Sequence, residues 1–117
     1  MNHIRVEDVR EFSKEKRIRK KLLGTEKIGA EYLCYEPGQG TPMHHHPKQD
    51  ELFYVVEGRG ILTVGDEEIP VGPSSLVLAR AQVPHGMMAA SDSRMIVMFF
   101  KAPISTSSAL LGEPAGS

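Results

Sequence analysis

The sequence predicts an all-β fold, a sandwich or barrel of short strands. Two observations carry this. Apolar runs are short and are separated by Gly and Pro, of which the chain has 11 and 8, a pattern of strands joined by tight turns. No stretch shows the sustained 3.6-residue apolar period of a long helix. With 117 residues, the chain fits one domain with a single small core.

Residues 1–27 read as an N-terminal extension. Six of the fourteen Lys and Arg lie between Lys14 and Lys21. Arg17-Ile18-Arg19-Lys20-Lys21-Leu22-Leu23 reads as an edge strand or short helix with a solvated face, and lysines on an edge also block strand-to-strand aggregation. Glu7, Asp8, Glu11 and Glu15 offset that charge locally, and no aromatics interleave to stack bases. Residues 28–101 hold the barrel. Ile28 to Glu36 alternates as a strand, and Pro37-Gly38-Gln39-Gly40 is a turn cluster. Met43 to His46 begins the next strand. Leu52 to Glu57 is the clearest strand, broken by Gly58-Arg59-Gly60. Ile61 to Val64 and Glu67 to Val71 form a hairpin about Gly65-Asp66. After the turn at Gly72-Pro73-Ser74-Ser75, Leu76 to Leu78 and Met95 to Lys101 complete the set. Residues 102–117 read as a mobile tail or docking arm, with Ala109-Leu110-Leu111 its apolar patch.

Composition excludes several classes. The net charge of -1 gives no global pull toward nucleic acid or membrane. The first residues lack the apolar core of a signal peptide, and no apolar run approaches the ~20 residues that span a bilayer. One cysteine cannot form an internal disulfide, which fits a cytoplasmic protein.

The chemistry concentrates in Met43-His44-His45-His46-Pro47-Lys48-Gln49-Asp50-Glu51. On a strand, His44 and His46 point to one face. Glu51 opens the apolar run that follows, and His85 lies at the end of another. Three imidazoles and a carboxylate suit a divalent transition metal; the helical zinc motif H-E-x-x-H does not apply. Alternation places Glu51, Phe53 and Val55 on one inward face, where a carboxylate needs a partner or a metal. His45 points to the other face, unless the register slips to use it alone. Gln49 or Asp50 could replace Glu51 if the loop after Pro47 bulges.

Met87, two residues after His85, shares the interior face. With Met43, Met88, Met95 and Met98 it reads as flexible apolar filler rather than a copper ligand set. Phe53, Val55, Met87 and Phe99, with Tyr35, are the candidate pocket wall. Arg80 reads as a surface side chain, with an anion clamp at the barrel mouth as the alternative. Nothing selects Tyr32, Tyr35 or Tyr54 as an acid or base, and Cys34 reads as core.

These residues resemble a known family. Gly38-x5-His44-x-His46-x4-Glu51-x6-Gly58 matches the first motif of the cupin superfamily at every defined position. The second motif, Gly-x5-Pro-x-Gly-x2-His-x3-Asn, keeps only His85; Ser74, Arg80, Gln82 and Ala89 stand at its other positions. The resemblance implies a double-stranded β-helix barrel of jelly-roll topology over residues 28–101. It also implies one metal held by His44, His46, Glu51 and His85, and a homodimer.

The donor set suits Fe, Mn, Ni, Cu, Co or Zn. Four protein donors on an octahedral ion leave two positions open. The leading expectation is therefore a metal-dependent small-molecule enzyme, oxygenase-like. A non-catalytic small-molecule binding or sensing module, a metal-dependent isomerase or decarboxylase, and a purely structural metal are the alternatives.

Overall fold

The computed structural model describes residues 2–104. A 3-10 turn at Val6–Val9 is followed by β1 (Ile18–Gly24), β2 (Gly29–Tyr35), β3 (Gly40–His44), β4 (Asp50–Gly58), β5 (Gly60–Val64), β6 (Glu67–Val71), β7 (Leu76–Ala79), β8 (His85–Ala89) and β9 (Met95–Ala102). The strands form two antiparallel sheets, ordered β1-β2-β9-β4-β7 and β3-β8-β5-β6. Among the described residues, no helix is long and apolar enough to cross a membrane.

The core lies between the sheets. In β4, Glu51, Phe53 and Val55 are buried while Leu52 and Tyr54 are exposed, the two-residue period of a strand with one face inward. Leu33, Tyr35, Phe53, Val55, Leu62, Met87, Val97 and Phe99 share one buried cluster. Truncating a buried aromatic such as Phe53 would cost roughly 3–5 kcal/mol. β2 is buried on both faces. Tyr32 and Cys34, on its outer side, join Ile96 in a second cluster covered by Val6, Val9 and Phe12. The N-terminal extension thus covers the outside of β2 and β9.

Geometry requires glycine at Gly65 and Gly86, among other positions. Gly65 has φ +62° at the first central position of the β5–β6 hairpin, where two-residue loops need a positive φ. A Cβ on Gly86 would lie 2.8 Å from the Thr41 carbonyl oxygen, so glycine lets β3 approach β8 beside His85.

The charged segment before residue 24 resolves as the edge strand β1, paired to β2. Its face is not simply solvated: Arg19 donates to the buried Glu31. The strand expected over Met43–His46 runs over Gly40–His44 and ends before His46. His85 does not end an apolar run; it opens β8, a strand the sequence reading omitted because Gly86 and the short run disguise it. The expected tail lies outside the described residues from position 105 onward.

Candidate metal centre

Four side chains from three elements and a loop converge at one end of the barrel. His44 closes β3 and pairs directly with His85 at the start of β8. Glu51 enters from β4, in the facing sheet. His46 comes from the loop after β3 and is held by its own carbonyl, which accepts a 2.8 Å hydrogen bond from the Gln82 N–H. His44 and His46 therefore do not share one strand face, as their i, i+2 spacing had suggested, because β3 ends at His44. The ladder shifts register between Thr41 and His44, so a bulge and a loop bring the two rings together, with centroids 5.3 Å apart.

One ligand atom from each of His44, His46, Glu51 and His85 lies within 4.8 Å of all the others. The backbone fixes the tautomers of two rings. His44 Nδ1 lies 2.8 Å from the Pro42 carbonyl, and His85 Nδ1 lies 3.1 Å from that of Val83. A carbonyl only accepts, so each Nδ1 carries the proton and each neutral ring presents its Nε2 lone pair to the group. Burial lowers the pKa of His44, against the raising effect of the Pro42 hydrogen bond. The neutral, ligating form is thus favoured.

Glu51 is 1% exposed. Its Oε1 lies 2.9 Å from His85 Nε2 and 3.3 Å from His46 Nε2. Among the described residues, neither Glu51 oxygen receives an aligned hydrogen bond, and the buried Nε2 atoms of His44 and His46 also have none. Short separations without donor-to-acceptor alignment are what lone pairs aimed at a common point produce. Buried polar atoms left in that state are costly, and three imidazoles with one carboxylate fit a divalent transition ion.

The alternatives for Glu51 point elsewhere. Asp50 Oδ1 accepts from the Ala81 N–H, and Gln49 Nε2 donates to the Pro103 carbonyl. His45 is exposed, as is Arg80. Phe53 packs its ring against His85 and Phe99, with centroids at 5.5 and 5.4 Å. With Val55 and Met87 it forms packed core behind the site. The methionines divide: Met87 and Met95 are buried, Met98 is half-buried, Met43 and Met88 are exposed. Tyr35 hydrogen-bonds Thr41 at 2.7 Å, Tyr32 faces the outer cluster and Tyr54 is exposed. Cys34 is buried, and burial pushes its thiol up, away from a reactive thiolate.

Sequence reasoning missed the charged cluster beside the site, formed by Arg19, Glu31 and Lys101. Its signal was available: Glu31 continues the inward set Leu33 and Tyr35, and Lys101 continues Val97 and Phe99.

Comparison with known proteins agrees with this fold. The family model described as a cupin domain matches residues 31–101. An uncharacterized protein of Methanocaldococcus jannaschii is 31% identical over 48 residues, covering 41% of this chain and 38% of that protein. An uncharacterized protein of Streptomyces coelicolor is 37% identical over 70 residues, 59% of this chain and 67% of that protein. The chain thus spans well under half of the first relative's length. The crystal structure of TT1209 from Thermus thermophilus superposes with a TM-score of 0.83 at 26% identity, covering 88% of this chain and 98% of that one. An RmlC-like cupin protein from Desulfovibrio desulfuricans gives 0.77 at 27% identity, covering 88% and 97%. With its two-sheet barrel, its convergent histidines and carboxylate, and a cupin-domain match over more than half its length, the chain belongs to the cupin superfamily.

Proposed function

We propose that this cupin is a metal-dependent small-molecule enzyme of the oxygenase-like kind, with one divalent transition ion held by His44, His46, Glu51 and His85. The observation that carries the reading is the convergence of four ligand atoms within 4.8 Å around a buried carboxylate that lacks aligned hydrogen bonds. Bound there, Fe, Mn, Ni, Cu, Co or Zn supplies Lewis-acid or redox chemistry at the positions that four protein donors leave open. The chain's own residues do the rest. Pro42 and Val83 carbonyls hold the His44 and His85 tautomers. Phe53, Val55, Met87 and Phe99 close the inner side to water. His44 and His46 are only half-buried, so a ligand approaches from their side.

Elemental analysis of the purified protein tests this. About one equivalent of a single transition metal, lost in His46→Ala, is the expected result; no metal in either sample after reconstitution refutes it. A second reading, a non-catalytic binding or sensing module, draws support from the tyrosines. Tyr35 is already bonded to Thr41, and Tyr32 and Tyr54 are turned to the outer side, so no tyrosine serves as acid or base at the site. Oxygen uptake by the metal-loaded protein with small carboxylate or phenolic substrates favours the enzyme. Turnover without oxygen uptake favours a Lewis-acid isomerase or decarboxylase.

The same proposal includes a homodimer. Leu52 and Tyr54 on β4 pair across the ladder with Leu78 and Leu76 on β7, and all four are exposed on the outer sheet face. A second copy of the chain covers them in this reading. The buried, free Cys34 is in keeping with a cytoplasmic setting.

A further inference from the structure

Among the described residues, Glu31 and Glu51 are the only buried carboxylates, and Lys101 is placed to choose between them. Lys101 lies directly opposite Glu51 in the β4–β9 ladder. Directly opposed residues share a face, with Cβ atoms about 5 Å apart, so the flexible lysine stem could bring its ammonium to Glu51. It does not. Lys101 Nζ lies 2.8 Å from Glu31 Oε2, while Glu31 Oε1 accepts from Arg19 Nε at 2.8 Å and Nη2 at 2.5 Å. Lys101 is 9% exposed and Glu31 2%, so each charge needs its counter-charge.

We infer that Glu31 is a positioning residue for the metal centre: it holds the Lys101 ammonium off Glu51 and so leaves the Glu51 oxygens to a metal ion. This rests on the metal reading given above. An ammonium on Glu51 would occupy the ligating lone pairs and repel an incoming dication at short range. Without the Glu31 charge, the buried Lys101 and the half-buried Arg19 have no carboxylate between them, and the buried carboxylate left for Lys101 is Glu51 itself.

The test is a double-mutant cycle on Zn(II) affinity, measured by competition with a chromogenic chelator, with melting temperatures recorded on the same samples without metal. Glu31→Gln is expected to weaken Zn(II) binding about 10- to 100-fold, the range typical for loss of a partner outside the ligand set. Adding Lys101→Met to that chain is expected to restore the wild-type affinity and, by removing an unpaired buried charge, part of the melting temperature. Lys101→Met alone, which strips Glu31 of one counter-charge, is expected to melt below wild type yet bind Zn(II) at least as tightly. A merely structural role for this cluster cannot produce that separation. If Glu31→Gln does not fold, Glu31→Asp replaces it; a weaker affinity cancelled by Lys101→Met is again expected. Unchanged affinity on altering Glu31, or a double variant as weak as the single, overturns the inference and leaves the metal reading standing. A wild-type protein that takes up no Zn(II) overturns both.

Discussion

Ser74 and Gln82 both have φ +71°, and they occupy the two positions where the second cupin motif has glycine. A side chain in the left-handed region costs roughly 1–2 kcal/mol relative to glycine. Replacing either by glycine removes that strain but frees the unfolded chain, which costs about 0.4–1 kcal/mol. Both side chains are exposed, so little packing is lost. Both backbone anchors survive: Ser74 N–H still donates to the Val55 carbonyl and Gln82 N–H to that of His46, each at 2.8 Å. The expected gain is therefore roughly 0.5–1 kcal/mol per site. The sites flank opposite ends of β7, which has four residues and so spans ~13 Å, and their effects should add. A double Ser74→Gly, Gln82→Gly variant should melt roughly 4–8 °C above wild type in chelator-treated samples, with an unchanged urea m-value. Zn(II) affinity should not change, since Gln82 holds His46 through its backbone. A single glycine variant that melts at or below wild type would show that these turns are relaxed by something other than local sterics.

Two further perturbations probe the core and the outer face. Burial raises the pKa of Tyr35, against the lowering effect of its Thr41 hydrogen bond, and burial raises Tyr32 as well. Above about pH 10 the unfolded chain loses these protons and the folded one keeps them, so folding stability is fully present below that pH and falls as pH rises. In Tyr35→Phe, urea midpoints should show a shallower alkaline decline, and a stability at pH 7 lower by about 1 kcal/mol from the lost hydrogen bond; an unchanged alkaline slope would refute the assignment. Leu52→Glu with Leu76→Glu should halve the mass seen by light scattering while leaving Zn(II) stoichiometry intact. A wild-type protein that is already monomeric at micromolar concentration would remove the dimer proposal.

Much of this was legible in the sequence, for identifiable reasons. Strand alternation fixes which side of β4 is inward, so Glu51, Phe53 and Val55 could be assigned to one face before any coordinates. The turn residues mark the β5–β6 hairpin directly. What was hidden depends on non-local geometry. β8 is short and opens with a histidine and a glycine, neither of which signals a strand, so only its pairing with β3 and β5 reveals it. The bulge at Pro42 and Met43 was marked only by the proline, which inside a strand signals an edge or a bulge, and His46 lies beyond the strand in a loop. Arg19 looks like any edge arginine until β2 places Glu31 beside it. His46 joins the site by a route different from the one its spacing suggested.

The charges at this end of the barrel are hard to explain by stability alone. A buried carboxylate and a buried lysine directly opposite each other would be best satisfied as a pair, and replacing both by apolar residues of similar volume is often neutral or stabilising. The chain does neither with Glu51 and Lys101. It adds a second carboxylate, Glu31, which pairs with both the lysine and Arg19, and leaves Glu51 facing three imidazoles with its oxygens lacking aligned hydrogen bonds. That arrangement of Glu51 raises the free energy of the metal-free fold. It would become favourable with a dication among the four donors, whose charge would offset the desolvation of Glu51. Away from the four donors, Tyr35 and Thr41 satisfy each other in a buried hydrogen bond, and Tyr35 lies within apolar core. That contrast supports the proposed function at the end that carries the histidines.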